Sequence, residues 1–183
     1  SSTVALQHQY AEKDAPMLQS LLPLDFSFAV AKGRRRYACT ARLMAAATAA
    51  GQQDLLPDDN RDEHGDLQGQ VHSASPAATE ATLRRQRRIV VGLAESFEAG
   101  RWNGDRDELA VPVADDLWAG LTTDRQGCSG NRCPDFARCP FHAARQRAKE
   151  ADLVIANHDL VLSALDMEAG SVLPPASETF YVF

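Results

Sequence analysis

The chain has 183 residues, 44% of them hydrophobic, and a formal net charge of −6, enough for one domain with a sizeable core or for a domain carrying an insertion. No run reaches the roughly 18 to 20 apolar residues of a membrane span, and the first residues lack the basic-then-apolar order of a signal peptide. No membrane partner is expected, and the cytoplasm is the expected compartment.

In chain order, TVALQHQYAEK reads as a helix that stops near Asp14 and Pro16. DFSFAVAKG follows as a buried strand. The alanine-rich TARLMAAATAA and the longer ATEATLRRQRRIVVGLAESFEAG are helical, the second ending at Gly100. Between them Asp54 to Ser75 has no hydrophobic period and reads as a flexible loop. VADDLWAGL is a short helix, FHAARQRAKEA another, DLVIANH a buried strand and DLVLSALDMEA a last helix. FYVF at the end has the aromatic, β-branched content of a strand. The ends therefore read as α/β, and the middle, from about Arg34 to Glu150, as helix and loop. A helical insertion in an α/β domain is the simplest account.

Charge is segregated along this order. Basic clusters stand at Lys32 and Arg34 to Arg36, at Arg84, Arg85, Arg87 and Arg88, and through Arg125, Arg132, Arg138, Arg145, Arg147 and Lys149. The net charge argues against a nucleic-acid partner, because phosphate binding is driven largely by Lys and Arg; the clustering argues for one. Any single run is also readable as a solvated face.

The four cysteines carry the sharpest signal: Cys39 alone, then Cys128, Cys133 and Cys139 within CSGNRCPDFARC. In a reducing compartment such clustering points to metal or cluster ligands before disulfides. Zinc sites usually show two short pairs, whereas a triplet from one loop with a remote fourth thiolate suits a [4Fe-4S] cube. Spacing alone leaves open a cluster, zinc with His142 as a substitute ligand, and unliganded thiols.

The segments STVALQHQ, LDFSFAVAKGRRRYAC, the WNGDRD and DDLW-x2-LTTD runs, CSGNRCPDFARCPFHAAR and EADLVIANHDLVLSAL together resemble the DinG family of XPD-like superfamily 2 DNA helicases, over nearly the whole chain. The resemblance implies a [4Fe-4S] domain inserted into a RecA-like motor domain, with Cys39, Cys128, Cys133 and Cys139 as cluster ligands. It implies residues 1–33 and 151–183 as incomplete parallel-sheet parts of that motor, and 34–150 as the insertion, including the 54–75 loop. It further implies a bacterial, nucleoid-associated ATP-dependent helicase moving 5′ to 3′ in DNA repair and replication. Its partners would be single-stranded DNA, branched or RNA–DNA hybrid structures, and single-strand-binding protein. The phosphate loop and DEAH-type motif that hold ATP and Mg²⁺ are not in this sequence, which reads as a fragment with no catalytic residue or ATPase activity of its own.

Single-strand grooves combine cations that follow the backbone with aromatic platforms for bases. Arg34, Arg35, Arg36 and Tyr37 stand beside Cys39, and Arg132, Phe136 and Arg138 between the other cysteines, so a shared cluster would gather them into one DNA path. The alternative for Tyr37 and Phe136 is packing beside the cysteines. Rival functions are an electron-transfer protein and a zinc-stapled interaction module.

Overall fold

Two segments far apart in sequence meet in one small parallel sheet. The computed structural model describes residues 4–54 and 76–165, with 173, 177, 179, 180 and 182 beyond them. Strand β1 (Phe28–Val30) pairs with β2 (Leu153–Ile155) in the register Phe28 to Leu153, Ala29 to Val154 and Val30 to Ile155. Parallel neighbours need a crossover connection, and here the whole middle of the chain provides it. The expected α/β reading of the ends holds in this form. Ser27 ties the strand starts together: its backbone N–H and its hydroxyl each donate to Asp152 Oδ2 at 2.8 Å.

The first helix runs further than its sequence suggests. Helix α1 (Val4–Gln9) continues through a π-helical turn (Tyr10–Asp14) into α2 (Ala15–Leu21), so the expected stop near Asp14 and Pro16 does not occur. Pro16 has no N–H to give, and the π turn absorbs the mismatch, with the Ala15 N–H donating to Tyr10 O five residues back. The buried Gln7 amide then donates to Ala31 O at 3.2 Å, docking this helix on the end of β1.

Helices α3 (Thr40–Asp54) and α4 (Pro76–Glu98) pack along each other. Asp54 is the last residue of α3, and the rest of the expected 54–75 loop lies outside the described residues. Helix α4 stops as expected. Gly100 adopts φ 67°, its N–H donates to Phe97 O at 3.1 Å, and the Arg101 N–H donates to Ser96 O at 2.9 Å, the paired bonds of a Schellman end. The short α5 (Asp115–Leu121) closes the group. Leu43, Val90, Ala94, Trp102, Val113, Trp118 and Leu121 form its main core, with Leu43 and Leu121 fully buried. Each such aliphatic side chain contributes about 2 kcal/mol by leaving water.

Helix α6 (Pro140–Glu150) links this core to the sheet, and α7 (His158–Leu165) follows β2. A second small core of Ala31, Ala148, Val161 and Leu173 lies under the sheet. Of the strand expected at FYVF, the described residues Phe180 and Val182 are in no strand and are 101% and 96% exposed, and the other two lie outside the described residues. Aromatic and β-branched content favours a strand only where a neighbouring backbone is present to pair with it. Among the described residues no helix is long and apolar enough to cross a membrane.

Candidate metal centre and nucleic-acid groove

The four cysteines reach one cavity from two segments. Cys39 caps the start of α3: its N–H donates to Leu121 O at 2.8 Å, and its carbonyl accepts from the Leu43 N–H at 2.8 Å. The other three lie on the α5–α6 loop, which two 3₁₀ turns, Gly130–Arg132 and Phe136–Arg138, fold back towards α3. All four thiols are half-buried, none is in a disulfide, and together they line a cavity of about 30 Å³.

Specific contacts hold the two segments against each other. The Thr40 hydroxyl donates to Arg138 O at 3.2 Å, and the Thr122 hydroxyl to Tyr37 O at 2.9 Å. Gly104 sits where they meet. Its carbonyl accepts from the Ala38 N–H at 2.9 Å, and at φ 86° a β-carbon there would stand 2.3 Å from Pro140, the residue after Cys139. Only glycine allows that approach.

The thiol environment is polarised. Arg34 Nη1 donates to Cys128 Sγ at 3.0 Å, and the Gly130 N–H lies 3.4 Å from the same sulfur. Burial pushes the Cys139 thiol up, against the backbone N–H groups of His142 and Phe141 that pull it down. Among the described residues, no group of three or more His, Cys, Asp or Glu side chains could hold a metal ion. The thiols surround a space instead of converging on one point, and His142 turns its ring to Phe136, 4.4 Å between centroids.

The three consecutive arginines part company. Arg34 lies over the Phe141 ring, 3.9 Å from its centroid, and lines both the thiol cavity and a neighbouring groove of about 930 Å³. Arg35, exposed, reaches Asp124 at 3.4 Å. Arg36 pairs with the buried Asp107, which also takes the Lys32 ammonium at 3.0 Å. Tyr37 is 4% exposed and meets Phe141 edge-on, so it packs and presents no free ring face to a base; burial raises its hydroxyl pKa.

On the loop, Phe136 lines the groove and is 39% exposed. Arg132 is exposed outside the groove lining, and Arg138 turns away to Glu98 at 3.5 Å and to the Phe97 ring. The expected DNA path left out Arg125, Arg145 and Lys149, noted from sequence only as part of a basic cluster, and these line the groove with Arg34 and Arg35. Arg145 and Lys149 lie four apart on α6, so helical spacing from the cysteine loop is the signal that could have found them. Arg145 Nε and His142 Nε2 are buried without a hydrogen-bond partner, and burial followed by the nearby Arg34 charge lowers both pKa values.

No protein-family model matches the chain. It is 31% identical over 182 residues to the protein named ATP-dependent DNA helicase DinG of Photobacterium profundum, covering 100% of this chain and 23% of that protein. It is 37% identical over 177 residues to the proteins of the same name from Escherichia coli K12 and Salmonella typhimurium, covering 95% of this chain and 22% of each. The chain thus spans less than a quarter of the length of these relatives, and nearly all of it is similar to one segment of proteins named DinG.

Proposed function

We propose that this chain is the cluster-bearing, DNA-contacting part of an ATP-dependent helicase that moves 5′ to 3′ on single strands in DNA repair and replication. Residues 34–150 are then the insertion, and 1–33 and 151–183 the flanking parts of a motor domain. The observation that carries the reading is one groove lined by Arg34, Arg35, Arg125, Arg145, Lys149 and Phe136, running beside the cavity that the four cysteines share.

Among the described residues Arg34, Arg145 and Lys149 have no carboxylate partner, so their charge is available to phosphates. Phe136, backed by the His142 ring, offers a platform for a base. Neither device reads sequence, as a translocating enzyme requires. ATP and Mg²⁺ would be held elsewhere in the helicase. Branched and RNA–DNA hybrid structures supply the single strand.

The cysteines suit a [4Fe-4S] cube, because its irons take thiolates from different directions around a volume, and all four cysteines line one cavity from two segments. When bound, the cube would supply iron–thiolate bonds that tie the start of α3 to the α5–α6 loop. That tie would keep Arg34 and Phe136 on one wall.

Anaerobically purified chain should carry iron and a broad visible absorption, and Ser at any of Cys39, Cys128, Cys133 or Cys139 should lose most of both. A colourless, zinc-loaded protein would refute the cluster. In fluorescence anisotropy a labelled single strand should bind more weakly as salt rises. At about 0.7 per contact, replacing Arg34, Arg145 and Lys149 by Ala should shrink the log–log salt slope by as much as roughly 2. An unchanged slope, with iron and fold retained, would remove the groove from the DNA path.

A further inference from the structure

We infer that Arg34 is the positioning residue through which the cysteine site and the nucleic-acid groove sense each other. The inference rests on the function proposed above and adds a coupling between its two parts.

Arg34 belongs to both cavities. One prong of its guanidinium, Nη1, is fixed by Cys128 Sγ at 3.0 Å, and its flat face by the Phe141 ring at 3.9 Å. A guanidinium carries five N–H donors in a rigid fork, so holding one prong and the plane aims the others. On the groove side it faces Arg145 and His142, whose pKa values its charge helps to depress. Arg145 Nε and His142 Nε2 are themselves buried and unpartnered. Sulfur is the acceptor already given to Arg34. The groove side of this wall is cationic, and a backbone phosphate has the charge and the oxygens to answer it.

A thiolate at Cys128 therefore pre-orders the fork for phosphate, and phosphate in turn fixes the fork that protects the Cys128 ligand. Equilibrium coupling must run both ways. Lysine would keep the charge but lose the fork and the ring stacking.

The experiment follows iron release to a chelator from the loaded 183-residue chain, with and without a saturating unlabelled single-stranded oligonucleotide. The oligonucleotide should slow release about fivefold, the low end of ordinary coupling between sites. In Arg34→Ala and Arg34→Lys the ratio should fall towards one, because neither side chain supplies the fork. The visible band should shift on adding DNA to the parent chain and stay put in both variants. A ratio of one in the parent chain, or an unchanged ratio in both variants, overturns the coupling and leaves the proposed function standing. A chain that holds no iron or binds no oligonucleotide overturns the proposed function, and the coupling falls with it.

Discussion

The cysteine side and the sheet side of the molecule are built to different standards. Around the cysteines, Trp102 and Trp118 meet edge-to-face at 6.2 Å, and both indole N–H groups find carbonyls, Asp105 O at 2.7 Å and Arg35 O at 2.8 Å. Around the sheet, two three-residue strands rest on the small core of Ala31, Ala148, Val161 and Leu173. Met17, Leu21, Leu24 and Leu162 there are 50%, 69%, 64% and 59% exposed. The groove and thiol cavity thus sit mainly on the part with its own aromatic core. Lys32 joins the two parts, running from the end of β1 to Asp105 at 2.6 Å and Asp107 at 3.0 Å.

Trp118→Ala and then Gly104→Ala test that contrast in falling order of effect, with Leu162→Ala as the control on the sheet side. Trp118→Ala removes a buried ring and the partner of Arg35 O, and should cost about 3–5 kcal/mol in a urea titration. Leu162→Ala, on the exposed sheet side, should cost under about 0.5 kcal/mol, and equal losses would break the comparison. Gly104→Ala forces a β-carbon into Pro140 at positive φ, which should cost about 1–3 kcal/mol for the backbone alone. It should also lower iron content, since Pro140 follows Cys139 directly. Full iron with unchanged stability would mean that the two cysteine segments do not depend on this approach.

The smallest effect is on the sheet. The Ser27 N–H, then its hydroxyl, hold the Asp152 carboxyl below its usual value. A depressed carboxylate stabilises the fold above its unfolded pKa, near 4, and that contribution is lost as pH falls through the lower folded value. The Ser27 amide resonance should therefore titrate below the ordinary Asp range, and Asp152→Asn should abolish that step. A midpoint at the ordinary value would show that the tie between the strand starts is weaker than its geometry.

Much of this was legible locally. The α4 stop at Gly100, the short α5 and the helix over FHAARQRAKEA follow from periodicity and caps. The helix through Pro16 did not, because a π turn that absorbs proline leaves no pattern in composition. Nor did the non-strand backbone at Phe180 and Val182, since pairing needs a partner that propensity does not supply.

The site divides the same way. Cysteine spacing by itself pointed to a loop triplet and a remote fourth thiol, and the family motifs around it made these the candidate ligands. Which arginines would share their wall was a tertiary matter. Arg34 to Arg36 form a 3₁₀ turn, which advances about 120° per residue, so adjacent side chains leave in different directions. One goes to sulfur and the groove, one to Asp124, and one to the buried Asp107. Arg145 and Lys149 joined the groove from more than a hundred residues away because α6 packs its Phe141 face beside that turn. Sequence proximity grouped the charges by neighbourhood along the chain, whereas backbone rotation and helix packing decided which of them meet.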